Sequence, residues 1–306
     1  MATQRRVTAA VAQIGQEFMN TRANLDAALR MIEQAGQQGV DIIAFSEGFL
    51  GQFPYWSHYY DVPAAKFARA WNAYYENAVS VRGPELDAVG EAARRHRIHV
   101  VMGCNELSDE PGSASTYNTM VFIDRAGDLL GRHRKLMPTY AERIFHGRGD
   151  GRDLRVHSTD IGNVGGLICW ENHMTPAKYA MQTLGEEIHV ASWPGMWRSG
   201  DPEKGERSIE PERGMPFVCD AEFAVREYAM ESGNFVLSAS SYFPPEKVSD
   251  EWRSVLEPAF NIDWAIGGSS IVAPGGGYLV APVIDREELL VAELDFGARQ
   301  AAKAFF

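Results

Sequence analysis

Cysteine is scarce, cationic side chains are outnumbered, and no long apolar run occurs; each shortage excludes a class of protein. Three cysteines, Cys104, Cys169 and Cys219, stand in 306 residues. They are too few and too scattered for a disulfide framework, and the odd number leaves at least one free thiol, which fits a reducing compartment. Lys and Arg total 29 against 41 Asp and Glu, a formal net charge of −12. A nucleic-acid footprint needs clustered cations. The densest basic stretches, Arg132 to Lys135 in GRHRK and Arg94 to Arg97 in ARRHR, are short and read as solvated strand or helix ends. No run of about 18 apolar residues is present, so no membrane-spanning helix is expected. The N-terminal MATQRRVTAAVAQIG carries charge and glutamine where a secretory leader would be apolar, and a cytoplasmic location is the expectation. Repeats, linkers and low-complexity tracts are missing too, which leaves one domain over residues 1–306.

What remains is 45% apolar, 23% charged and 11% aromatic, the balance of a globular chain able to bury a sizeable core. The first half alternates strand and helix. Val7 to Ile14 is a strand of small and β-branched residues, Asn24 is placed to cap a helix striped by Leu25, Leu29 and Ile32, and Gly39 ends it. Val40 to Phe45 is a short apolar strand. A second unit follows, with Leu86, Val89, Ala92 and Ala93 on one helix face and strands at Ile98 to Met102 and Thr119 to Ile123. Further strands are expected at Val164 to Ile168, Ile188 to Ala191, Phe235 to Ser240, Ser269 to Ala273, Tyr278 to Ala281 and Leu289 to Leu294. Helices are expected at Met174 to Leu184 and Phe217 to Glu231. Such alternation predicts a layered α/β protein with mixed sheets.

Four side chains stand out for chemistry. Cys169 ends the VGGLI strand at a turn that leads into a helix, where exposed N–H groups and a helix dipole favour thiolate; the alternative is a core thiol, the expectation for Cys104 and Cys219. A thiol nucleophile needs a base. His146, His173 and His189 are candidates, and Glu47, just past VDIIAF, is a more specific one because burial would raise its pKa. Lys135 in HRKLMPTYAER could steady an oxyanion or simply be solvated. Glu142 could pair with Arg143.

Together the segments FSEGFLGQFPYW around Glu47, RKLMPTYAERIFHGRGDG from Arg134 to Gly151 and GGLICWENHMTPAKYAM around Cys169 resemble the three catalytic segments of the nitrilase superfamily, in that family's order. CWEN, PTYAER with GRGDG, and HVASWPG at His189 to Gly195 are similar to its nitrilase branch. Ser46 stands where that family usually has proline, which touches loop geometry more than chemistry, and the ending AKAFF lacks the longer tail of typical nitrilases. The resemblance implies a four-layer αββα sandwich, with two mixed β-sheets between outer helix layers, and a dimer built by helix packing. It implies Glu47 as base, Lys135 and the Trp170 backbone N–H as stabilisers of the developing anion, Glu142 as the group orienting Lys135, and Cys169 as nucleophile on a nitrile carbon. No metal or organic cofactor is implied. Tyr55, Trp170 and Trp193 are candidates to line the acyl pocket, or core residues. An amidase or N-carbamoyl amide hydrolase would use the same residues, and an inactive scaffold would need none of them.

Overall fold

The computed structural model describes residues 5–58, 63–195, 221–256 and 265–304. The chain runs through β1 (Arg6–Gln13), α1 (Thr21–Gln37), β2 (Ile42–Ala44), α2 (Ala64–Glu76), α3 (Pro84–His96), β3 (His99–Leu107), β4 (Thr116–Ile123) and β5 (Leu129–Arg134). It continues through β6 (His157–Thr159), β7 (Gly162–Ile168), α4 (Thr175–Thr183), β8 (Ile188–Trp193), α5 (Ala221–Ser232), β9 (Phe235–Ser240) and α6 (Asp250–Leu256), then β10 (Gly267–Val272), β11 (Tyr278–Ile284), β12 (Glu288–Asp295) and α7 (Phe296–Lys303). Two six-stranded sheets result, in the orders β12-β1-β2-β3-β4-β5 and β11-β10-β9-β8-β7-β6. Both are mixed. β1, β2 and β3 are parallel, as are β7, β8 and β9, and the outer strands join antiparallel.

The period of two along each strand builds the layers. In β1, Val7, Ala9 and Val11 face the second sheet, while Ala10 and Ala12 face the helices. Ile42 and Ala44 of β2 point inward and Ile43 outward, and Met120 and Phe122 of β4 alternate likewise with Val121 and Ile123. Outside the first sheet lie α1, whose Leu25, Ala28, Ile32 and Ala35 form a buried stripe, and α3 with Leu86, Val89 and Ala93. Each fully buried Leu or Ile on such a face stabilises the fold by roughly 1.5–3 kcal/mol. Outside the second sheet lie α4 and α5, through Ala177, Met181, Val225 and Tyr228. The order helix, sheet, sheet, helix is the αββα sandwich.

Two local expectations change. Asn20, not Asn24, caps α1 by accepting from the Ala23 N–H, and Asn24 is buried one turn inside, bonded to the Glu17 backbone. The GRHRK run is not solvated: Arg132 and Arg134 on β5 converge on the buried Glu106, and His133 is buried against Glu171. The helix expected at Phe217 to Glu231 is met, within the described residues, by α5; residues 217–220, with Cys219, lie outside them. Also passed over are α2, although its Phe67, Ala70, Trp71 and Tyr74 recur at helical spacing, and the short α6, α7 and β6. Among the described residues no helix is long and apolar enough to cross a membrane.

Glycine lets the two parts of the first sheet close tightly. A Cβ on Gly103 in β3 would sit 2.1 Å from the Ser46 carbonyl oxygen and 3.0 Å from the Glu47 Cα, both backbone atoms that cannot swing aside. Gly103→Ala is therefore expected to destabilise the fold by about 1–3 kcal/mol, read by urea unfolding; unchanged stability would show that the approach has slack.

Candidate active site

Three strand ends deliver the singled-out residues to one place between the sheets. Glu47 follows β2, Lys135 follows β5 and Cys169 follows β7. The Glu47 loop is tied to its own sheet by Phe45 N–H to Val101 O at 2.9 Å and Leu50 N–H to Gly103 O at 3.1 Å, and to the other by Glu47 N–H to Trp193 O at 3.3 Å. Ser46 contributes a hydroxyl that accepts from Ser241 at 2.9 Å and from Gln16 at 3.3 Å, contacts a proline could not make.

Lys135, Glu47 and Glu142 are all buried. The Lys135 Nζ lies 2.9 Å from Glu47 Oε1 and 2.7 Å from Glu142 Oε2. Asn118, from β4, donates through one Nδ2 to both carboxylates, at 2.6 Å to Glu47 and 2.7 Å to Glu142. Glu142 receives more. The Thr139 N–H donates to it at 2.7 Å, and His146 Nδ1 lies at 3.3 Å while its Nε2 contacts the Tyr74 hydroxyl at 2.7 Å. Its neighbour Arg143 donates instead to the Pro138 carbonyl, so the expected pairing with Glu142 does not form.

The uneven support separates the two acids. Burial alone pushes a carboxyl up. At Glu47 burial prevails, aided by the charge of Glu142 and opposed by Lys135, and the carboxyl is raised to about 7. At Glu142 burial is outweighed by Lys135 and His146, which hold it well below the usual carboxylate range. For Lys135, burial works against charge, but the acidic groups around it, Cys169, Glu142 and Glu47, outweigh burial and keep it a cation. Glu47 Oε2 has no hydrogen-bond partner, which leaves a lone pair for an incoming proton.

Cys169 is buried with φ +54°, the left-handed region that suits glycine better. Burial pushes its thiol well up, the charges of Glu47 and Glu142 add to this, and Lys135 with the Trp170 N–H opposes it. The expectation of a thiolate favoured by a helix dipole is thus corrected: Cys169 opens a 3₁₀ turn, Cys169–His173, and α4 starts only at Thr175. A thiol in this state becomes nucleophilic only if a base takes its proton, and the Glu47 carboxyl, raised to about 7, is a neighbour that could. Cys104 is a core thiol, also raised by burial.

The pocket candidates divide. Tyr55 is buried, stacked on Phe243 at 5.6 Å, with its hydroxyl donated to Pro194 O at 2.6 Å. Trp193 is buried, with its ring 6.3 Å from that of His173. The Trp170 ring is 41% exposed, beside His173 at 5.5 Å, so it does not line the buried cluster, whereas its backbone N–H faces the Cys169 sulfur. The sequence points to the loop segments Gln52 to Asp61 and Trp197 to Cys219 as those that decide substrate; of these, 59–61 and 197–219 lie outside the described residues.

Sequence reasoning passed over Asn118 and Glu171. Glu171 ties two segments together: it accepts from Ile168 N–H at 2.8 Å and Leu136 N–H at 2.7 Å and meets His133 Nε2 at 2.8 Å. The available signal was a polar residue inside the apolar alternation of β4 and an acid at a buried strand end.

The sequence profile of the carbon–nitrogen hydrolases matches residues 8–304. A protein named nitrilase 2, from an unknown prokaryote, is 36% identical, covering 94% of this chain and 83% of its own. An aliphatic nitrilase of Rhodococcus rhodochrous is 33% identical over 96% of this chain and 76% of its own, and a bifunctional nitrilase/nitrile hydratase of Lupinus angustifolius 34% identical over 99% and 82%. In fold, the chain is similar to Nit3 of Saccharomyces cerevisiae, with a TM-score of 0.72 at 18% identity over 98% of this chain and 94% of that one.

The shared lysine makes a stability prediction. Lys135→Met strands two buried carboxylates, and a loss of roughly 3–5 kcal/mol is expected in urea unfolding near neutral pH. Without the cation both carboxyls titrate above their unfolded values, so the deficit shrinks as pH falls towards the ordinary carboxylate range. A deficit that grows on acidification would contradict this arrangement.

Proposed function

The chain belongs to the carbon–nitrogen hydrolase family, and from that premise we propose that it is a nitrilase, converting an organic nitrile to the carboxylic acid and ammonia through Cys169. The observation that carries the proposal is the buried cluster in which Glu47, raised to about 7 with one oxygen unpartnered, shares Lys135 with a firmly ionised Glu142 beside a thiol held protonated. The nitrilase-named relatives support the choice of nitrile.

In this reading Glu47 takes the thiol proton as the Cys169 sulfur bonds to the nitrile carbon. The negative nitrogen is met by Lys135 and the Trp170 N–H and takes up the proton, giving a thioimidate. Water adds next, Glu47 relays first one and then the other of its protons to nitrogen, and the C–N bond breaks to release ammonia and leave the thioester carbonyl. The thioester left behind adds a second water, the C–S bond breaks, and the thiol recovers its proton. Glu142 keeps Lys135 charged and in place throughout. Should the first tetrahedral intermediate expel sulfur instead of ammonia, the product is an amide, and the name of the lupin relative supports including that branch.

A chemistry that depends on a reduced Cys169 fits the reducing cytoplasm. One domain over residues 1–306 and self-association are parts of the same proposal; the exposed Tyr179, Leu184, Phe223 and Met230 on the α4 and α5 layer supply apolar surface for a second copy.

Ammonia release from a panel of nitriles, amides and carbamoyl amino acids tests the reaction, with activity on nitriles expected; turnover confined to amides would overturn the choice of nitrile. A slow nitrile should add its mass to Cys169, and Cys169→Ala should show neither adduct nor turnover. Because the base works ionised, kcat/KM should rise with pH through a midpoint near 7, and Glu47→Gln should lose at least about 100-fold. An acid limb centred in the ordinary carboxylate range would remove Glu47 from this role.

A further inference from the structure

Beneath the nucleophile, on the side of α4 and α5, Asn172, Glu186, His189 and Tyr228 form a buried polar group that the reaction above does not use. Asn172 Nδ2 donates to Leu167 O at 3.2 Å and to Cys169 O at 2.9 Å. With its amino group turned to those carbonyls, Asn172 presents Oδ1 to His189 Nε2 at 2.9 Å, which makes that nitrogen a donor. His189 Nδ1 lies 2.9 and 3.0 Å from the two oxygens of Glu186, and the Tyr228 hydroxyl donates to Glu186 Oε2. The Tyr228 and His189 rings stack with centroids 3.8 Å apart. Every link has a defined partner, from a carboxylate to one particular carbonyl.

That carbonyl belongs to the Cys169–Trp170 peptide, the same amide group whose N–H faces the Cys169 sulfur. A hydrogen bond at an amide oxygen polarises the amide and strengthens its N–H as a donor, and chains of such bonds reinforce one another in a low-dielectric interior. The peptide also needs holding, since Cys169 has φ +54°. A buried polar cluster is weak evidence for a stabilising role, because apolar replacements are often as stable. Among the described residues, the hydrogen-bond link from the relay towards the reacting atoms runs through this peptide.

We propose that Glu186, His189 and Asn172 are positioning residues that orient and polarise the Cys169–Trp170 peptide, so that the Trp170 N–H meets the anion formed at the reacting carbon's substituent atom. The inference rests on the reading of that N–H as an anion donor. It concerns nitrile nitrogen and tetrahedral oxygen alike, and so survives if the true substrate is an amide.

The test uses the whole protein and two readouts. The first is reversible binding of simple aldehydes, propanal and benzaldehyde, in which the thiol sulfur bonds to the carbonyl carbon, the proton moves to oxygen, and that oxygen lies at the Trp170 N–H. The second is kcat and KM per titratable Cys169 thiol. Asn172→Asp, which turns an oxygen towards two carbonyls, should weaken aldehyde binding and lower kcat by about 100-fold with little change in KM. Glu186→Gln, nearly isosteric and the milder variant should Asn172→Asp fold poorly, should lose about 10-fold. The double variant should be no worse than Asn172→Asp, since both act through one relay, and His189→Gln, which keeps an N–H donor, should retain more than His189→Leu. Wild-type aldehyde affinity and kcat per thiol in Asn172→Asp and Glu186→Gln, or losses that simply multiply, would overturn the relay. A wild type that binds aldehydes and hydrolyses no nitrile would instead overturn the nitrilase reading and leave the relay standing.

Discussion

One buried lysine between two buried carboxylates sets the terms for the rest of this molecule. A single cation cannot neutralise two acids removed from water, so the surroundings decide which acid keeps its charge. Here the decision is one-sided. Glu142 collects Lys135, Asn118, the Thr139 N–H and His146, whereas Glu47 has Lys135, Asn118 and a bare Oε2. Two chemically identical side chains thereby become a fixed anion and a proton acceptor poised near neutrality, a division of labour created entirely by environment.

The two-sheet architecture exists around that cluster in a literal sense. Its members leave the ends of β2, β5 and β7, which belong to different sheets, and they meet only because the sheets pack face to face through small residues. In β7, a Cβ on Gly166 would sit 2.6 Å from Met120 Sδ and from Val190 O. Glu171 then fastens the segment after β5 to the turn after β7 through two backbone N–H groups, which ties Lys135 to Cys169 without touching either side chain. Rigidity of this kind keeps the Cys169 thiol and the Glu47 carboxyl in register while burial raises the pKa of both.

Much of this was legible in the chain. Alternation and stripes located most strands and the helices α1, α3, α4 and α5, because each buries one face and the period shows it. Glu47, Lys135, Glu142 and Cys169 were recognisable from long ordered segments around them, not from their own neighbourhoods, where a surface acid or a core thiol reads equally well. Asn118, Asn172 and Glu171 were illegible for a physical reason: their meaning lies in contacts with side chains 17 or more positions away, or with backbone atoms, which no local period records. The state of the Cys169 thiol was misjudged because a strand-to-helix junction suggests a dipole, while the actual 3₁₀ turn supplies little of one and burial dominates. GRHRK misled similarly, since charge in a sequence looks solvated until its partner, Glu106, is seen beneath it.

The most direct measurement is a ¹³C NMR titration of the glutamate carboxyl carbons in the resting protein, with Glu47→Gln and Glu142→Gln used for assignment. The account predicts one buried carboxyl that titrates near 7 and vanishes in Glu47→Gln, and another that stays ionised through the whole folded range and vanishes in Glu142→Gln. Two carboxyls titrating together around the ordinary value of 4.5 would contradict it.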